Sequence, residues 1–216
     1  AAAGAFGTTP MARVELVLEG GSIDSNGEGE LLTTAFCLLH PGRNPGLGRG
    51  RMQTRLEQHL GATCQHWLEH GALEGDDTDG HIDTLARFVA PDTIAHVTSD
   101  DPADHNYQAL GEMARELAAL RRPDGSPYRL LPLPSPPPLL DPEGRQYPAS
   151  YANFLITNHK VLLPGYHPAT DPAARETVAA AFPGRETVLI DCLPLIRQSG
   201  SLHCVTMQLP QGVDIP

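Results

Sequence analysis

The chain has 216 residues, enough for one large domain or two small ones, and its 40% hydrophobic content can fill a substantial core, which excludes a disordered chain. A formal charge of -11, with its ten His counted as neutral, argues against a nucleic-acid or anionic-membrane partner and suits a cationic ligand. No apolar run reaches the length of a membrane span and no secretory segment is evident. Cys37, Cys64, Cys192 and Cys204 lack CxxC spacing, so free thiols in a reducing, cytoplasmic setting are expected.

Residues 1–13, rich in Ala and Gly, read as a flexible lead-in, and because the chain begins at Ala1 without Met it reads as a piece of something longer. Residues 14–18 (Val-Glu-Leu-Val-Leu) then predict a buried strand that ends at Glu19-Gly20-Gly21-Ser22. A hairpin follows, with residues 22–24 and 30–39 as its arms and an Asn26-Gly27 turn. Residues 41–50 are a loop, and residues 52–60 have the apolar spacing of a helix closed by Gly61.

The pattern then repeats. Two strand-like runs within residues 81–98, turning at 90–93, precede a helix over 106–120 and an extended run over 128–133. In a third copy, residues 150–157 and 160–166 flank an Asn158-His159 turn. A helix opened by Asp171-Pro172 and a strand over 186–191 complete it. A fourth start is read at residues 199–201, with 202–209 strand-like. The proline-rich segment 135–144 is a surface loop. The class is therefore α/β, built from pseudo-symmetric hairpin-helix-strand modules.

Each module opens with polar residues and Gly at its first strand. If the modules are related by rotation about an axis, those edges meet, bringing Glu19, His81, Asp83, Asn153 and Cys204 to one pocket. The densest of these edges is Asp76-Asp77-Thr78-Asp79-Gly80-His81-Ile82-Asp83. As a strand over 81–89, it would place His81 and Asp83 on one face and Ile82, Thr84, Ala86 and Phe88 on the other. The competing reading is a solvated acidic turn. Along residues 202–209, alternation puts Cys204 with Thr206 and Gln208 on the polar face, opposite Val205, Met207 and Leu209, whereas a structural Cys favours the packed face. A metal-ligand reading of these residues has no HxxxH or CxxC spacing behind it, and neither metal nor cofactor is expected.

Leu18-Glu19-Gly20-Gly21-Ser22-Ile23, Thr33-Thr34, Asn44-Pro45, Trp67-Leu68, the run from Asp77 to Asp83, Ser150-Tyr151-Ala152-Asn153-Phe154 and His203-Cys204-Val205-Thr206-Met207-Gln208 resemble the agmatine deiminase and bacterial-type peptidylarginine deiminase family, in unbroken order over residues 16–210. The resemblance implies the pentein fold, an α/β propeller of five modules around a channel. About three modules would be present here, with residues 14–216 the C-terminal part of a single catalytic domain. It implies hydrolysis of a guanidinium group to a ureido group and ammonia, agmatine giving N-carbamoylputrescine in polyamine biosynthesis, with peptidylarginine or free arginine as alternative substrates.

By motif, Cys204 would be the nucleophile and His81 the general acid and then base. Asp83 would grip the guanidinium, and Glu19 would brace His81 and share the substrate's charge. Trp67 is packing that could also wall the pocket, and Asn153 is a strand-edge group or a substrate contact. His203 reads as structural, Asp77 and Asp79 as turn formers, and Arg87 and Arg129 as surface residues or readers of an α-carboxylate. The family's Arg-Asp and Gly-Pro motif, which supplies a second carboxylate clamp, has no counterpart before Glu19. The ring would then be open on one side, to be covered by a homo-oligomer or a partner segment, or the chain would be a non-catalytic guanidine-binding fragment.

Overall fold

The computed structural model describes residues 6–209 and 212–213. After a one-turn 3-10 helix, Gly20–Ser22, strand β1 (Ile23–Ser25) turns back into β2 (Glu30–Thr34). Helices α1 (Ala35–Leu38) and α2 (Arg49–Leu60) lead to β3 (Cys64–Leu68), which lies parallel to β2. The second module has β4 (Ala86–Ala90), β5 (Thr93–Thr98), α3 (Tyr107–Ala119) and β6 (Arg129–Pro134). The third has β7 (Leu155–Ile156), β8 (Lys160–Gly165), α4 (Asp171–Ala181) and β9 (Glu186–Asp191), followed by α5 (Leu193–Ile196).

Each module forms its own three-stranded sheet, in which the middle strand pairs antiparallel with the hairpin partner and parallel with the strand after the helix. The parallel pair requires a crossover, and each helix provides it. Helix α3 packs on β5 of its own sheet and on β3 of the sheet before; α4 likewise packs on β8 and β9 and on β6. Sheets and helices therefore alternate through the molecule, and the middle strands are covered on both faces.

Period-two geometry then sends adjacent residues into different cores. Leu31 joins the first, with Leu38, Met52 and Leu56, whereas Leu32 joins the second, with Leu85, Met113 and Leu117. Ile94 and Ala95 divide in the same way between the second core and the third, which is built around Tyr151, Phe154, Val161 and Val178. The helices present i, i+3 and i+4 stripes to these cores: Met52 and Leu56 on α2, Leu110, Met113 and Leu117 on α3. Gly61 ends α2 in the left-handed conformation, φ 69°, as its position after the stripe predicts.

Arg87 ties the three modules together. It is buried, pairs through Nε with Asp24 Oδ1 at 2.6 Å, donates from Nη1 to the Phe154 carbonyl at 3.0 Å and lies over the Phe154 ring. It is not a surface residue, and its charge is committed to Asp24.

Five expectations require correction. Residues 14–18 form no strand: Val14 and Val17 are exposed, and the Val17 N–H and C=O are met by the Asn44 side-chain amide, so no ladder extends along the segment. Residues 35–38 leave the hairpin as α1. Strand β3 was unanticipated because Cys64, Gln65 and His66 give it little apolar signal. Residues 82–84 are a 3-10 turn, and the strand begins at Ala86. Residues 203–205 are likewise a 3-10 turn, and Val205 at its end and Met207 beyond it are exposed rather than packed.

Candidate active site

The first-strand edges do converge, through turns rather than through strand alternation. Asp76 organises the loop that delivers His81: its carboxylate accepts hydrogen bonds from the Thr78 amide and hydroxyl at 3.2 and 2.6 Å, and from the Gly80 amide at 2.7 Å. Thr34 at the end of β2 holds the Gly80 carbonyl at 2.8 Å. Within this loop Asp79 takes φ 59°, the turn-forming role expected of it.

His81 Nε2 lies 2.8 Å from Glu19 Oε2, at the start of the Gly20–Ser22 turn. Arg43 completes this corner, donating from Nε to Glu19 at 2.7 Å, from Nη1 to Asp79 at 2.7 Å and from Nη2 to the Thr78 carbonyl at 2.9 Å. Burial pushes the Glu19 carboxyl up, but the hydrogen bonds and charges of His81 and Arg43 outweigh it and hold it below the ordinary value. Burial lowers the Arg43 guanidinium, yet Asp79 and Glu19 raise it on balance.

Asp83, 1% exposed, sits on the 82–84 turn. Its Oδ2 accepts from His203 Nδ1 at 2.8 Å, while Oδ1 is buried without a partner. Such an orphaned acceptor is costly unless a ligand satisfies it. The Gly21 backbone lies against both His81 and Asp83: a Cβ there would come within 2.6 Å of His81 Nδ1 and 2.9 Å of Asp83 Oδ2.

Cys204 Sγ is 3.9 Å from Asp83 Oδ2 and 3.4 Å from Asn153 Nδ2. Asn153 is buried; its Oδ1 accepts the His203 amide at 2.8 Å and its Nδ2 approaches the Asp83 carbonyl at 3.4 Å, so it pins the Cys204 turn to the Asp83 turn. Cys204 is exposed, and crowding around its sulfur, then the Asp83 charge, pushes its thiol above the ordinary value. His81, Asp83, His203, Cys204 and Gly21 share the lining of a cavity of about 500 Å³.

The structure thus brings together Glu19, His81, Asp83, Asn153 and Cys204. Trp67 lies elsewhere, on β3 beside the first core with Arg49 over its ring, and does not line this cavity. Arg129 is exposed on β6. Two residues were missed as site members. Arg43 stood in a loop with no pattern to mark it, and His203 was placed on the far side of a strand that is in fact a turn. Among the described residues, two groups of donor atoms lie within 4.8 Å of one another, Glu19–Cys37–His81 here and Glu30–Cys64–His66 elsewhere; in the first, Arg43 already occupies Glu19.

A family model for Porphyromonas-type peptidyl-arginine deiminase matches residues 2–210. The chain belongs to this family. Within the wider group, a Yersinia pseudotuberculosis protein provisionally named agmatine deiminase is 36% identical over 211 residues, covering 90% of this chain and 58% of its own. Among solved structures, a Porphyromonas gingivalis protein provisionally described as an arginine deiminase has 55% identity and a TM-score of 0.89, covering 93% of this chain and 59% of that one. A Cys-to-Ser variant of the C. jejuni agmatine deiminase with substrate bound has 39% identity and a TM-score of 0.86, covering 94% and 60%. These neighbours are α/β deiminases of the pentein fold. The chain spans 58% to 60% of the length of these three relatives.

Proposed function

We propose that this chain carries the nucleophile, acid-base and carboxylate groups of a deiminase that hydrolyses agmatine to N-carbamoylputrescine and ammonia. The observation that supports this best is Cys204 Sγ 3.9 Å from Asp83, a carboxylate whose Oδ1 is buried and unpartnered. A guanidinium cannot shed its charge at ordinary pH, so it arrives as a cation able to donate to that oxygen. Its charge also reverses the electrostatics that hold the thiol protonated, because a cation beside Cys204 offsets Asp83 and favours the thiolate.

The thiolate attacks the guanidinium carbon, forming the C–S bond. His81, braced by Glu19, protonates the departing nitrogen, and C–N cleavage releases ammonia and leaves a thiouronium on Cys204. His81, now neutral, takes a proton from water as it adds to the same carbon. Breaking C–S then returns the thiolate and the ureido product, the remaining hydroxyl proton passing to solvent, where it ends on the released ammonia. Asn153 acts as a positioning group, holding both turns.

On this reading the three modules belong to a five-module propeller, and full turnover requires the remaining two, in keeping with the greater length of the relatives. The family description keeps peptidylarginine as a second substrate reading, since the chemistry is shared and only the cavity mouth would differ. Incubation of the chain with agmatine tests the proposal. A mass increase on Cys204 matching the thiouronium, with slow ammonia release, is expected. Binding of agmatine with no adduct and no ammonia would leave only the guanidine-binding fragment.

A further inference from the structure

The parallel register of β2 and β3 places Glu30 directly opposite Cys64, and the period of two puts His66 on the same face of β3 as Cys64. The pairing therefore gathers a carboxylate, a thiol and an imidazole at one corner, outside the cavity around Cys204. The side chains of Glu30 and His66 are 5% and 7% exposed, while Cys64 is half-buried and forms the corner's solvent-facing side. From these residues we infer a binding site for one zinc-like divalent cation, held by Glu30 Oε2, Cys64 Sγ and His66 Nε2.

The spacing fits a tetrahedral ion. Bond lengths of about 2.3 Å to sulfur and about 2.0 Å to nitrogen and oxygen imply donor-to-donor edges of about 3.6 Å for S–N and about 3.3 Å for N–O. The observed edges are 3.7 Å from Cys64 Sγ to His66 Nε2 and 3.3 Å from His66 Nε2 to Glu30 Oε2, the latter long for a charge-assisted hydrogen bond. Asn26 Nδ2 donates to Glu30 Oε1 at 2.8 Å, and Oε2, which accepts from the Tyr128 hydroxyl, is the oxygen on the side of His66. The Tyr128 hydroxyl is hydrogen-bonded to these same two atoms, Glu30 Oε2 and His66 Nε2, so an ion binding there takes its place and water completes the fourth position.

Charge supports the assignment. Among the described residues, Glu30 has no Lys or Arg within ion-pair reach, and His66 is its one ion-pair partner. A buried carboxylate in that position is expensive. On metal binding the thiol proton leaves to solvent, any proton on His66 Nε2 moves to Nδ1, and the two anions then neutralise the two positive charges of the ion. The mixed sulfur, nitrogen and oxygen donor set selects zinc over magnesium or calcium.

Cobalt(II) titration of the reduced, metal-free chain tests the site. One ion per chain is expected, with a thiolate-to-cobalt charge-transfer band that zinc displaces. Cys64→Ser should abolish the band, Cys37→Ser and Cys204→Ser should keep it, and His66→Gln should weaken binding by about tenfold or more. Circular dichroism and thermal melting of the apo variants check that each is folded, and the mild Cys64→Ser exchange keeps the test informative if His66→Gln is not. A band that survives in Cys64→Ser, a band lost in Cys204→Ser, or no cobalt retained by the folded wild type would overturn the assignment.

Discussion

Two corners of this molecule hold the same three kinds of side chain. One has Glu19, His81 and Cys204 around Asp83; the other has Glu30, His66 and Cys64 around Tyr128. They differ in what is left unsatisfied. At the first, an Asp83 oxygen has no partner, the Gly21 backbone lies close against the carboxylate with no side chain to crowd it, and the thiol opens onto a cavity of about 500 Å³. At the second, both Glu30 oxygens already accept hydrogen bonds, Oε1 from Asn26 and Oε2 from Tyr128, so an ion there must displace a partner, whereas a guanidinium at the first meets an unpaired oxygen. Residue type alone therefore does not assign chemistry; the unpaired acceptor and access for a substrate do.

The strongest way to break this comparison is to exchange the thiols. Cys204→Ser should abolish the slow ammonia release and remove the covalent adduct, whereas Cys64→Ser should leave both within about twofold, measured as ammonia release and by intact mass. Equal losses at the two positions would erase the distinction between the corners.

Asp83→Asn sharpens it with two effects of opposite sign. Guanidine recognition should weaken, with kcat/KM falling by about a hundredfold or more. Removing the anion beside Cys204 should ease thiol ionisation, so that alkylation by neutral iodoacetamide rises at a lower pH than in the wild type. A slower or unchanged alkylation profile would place the Asp83 charge away from the sulfur.

Gly21→Ala should cost about 1–3 kcal/mol in denaturant unfolding together with most of the activity, because the added methyl meets His81 and Asp83. The smallest effect belongs to Arg43→Gln. The Glu19 carboxyl lies below its ordinary value in the folded chain, so its contribution to stability is present above pH 4.5 and is lost as pH falls through the lowered value. Without Arg43 part of that contribution disappears. The melting temperatures of wild type and variant should differ modestly at neutral pH and converge in acid; divergence in acid would contradict this.

Much of the fold could be read from residue order because helix stripes and turn residues are local signals. Met52 with Leu56, Asn26-Gly27 and Asp171-Pro172 each marked an element that the structure contains. Residues 14–18 misled because an apolar run predicts burial only if a partner strand exists, and here Asn44 takes that place. The convergence of Glu19, His81, Asp83, Asn153 and Cys204 was legible from the repeated polar edges and from the family resemblance. The route was not: strand alternation is the natural reading of residues 81–89 and 202–209, whereas residues 82–84 and 203–205 are 3-10 turns and the strand begins only at Ala86. That error hid His203, which reaches Asp83 only because the turn swings it inward. Arg43 was illegible for a different reason, since a loop residue that pairs with Glu19 and Asp79 across 24 and 36 positions carries no local mark.

The central claim is that Cys204 sits where an amidinium-type cation is held by Asp83. Peptide mapping after treatment with a small alkylating agent that carries an amidinium group measures this directly, without requiring turnover. Labelling confined to Cys204, faster than with neutral iodoacetamide and reduced to the iodoacetamide rate in Asp83→Asn, is the predicted result. Labelling spread over Cys64 and Cys204 alike, or no preference for the cationic reagent in the wild type, would contradict it.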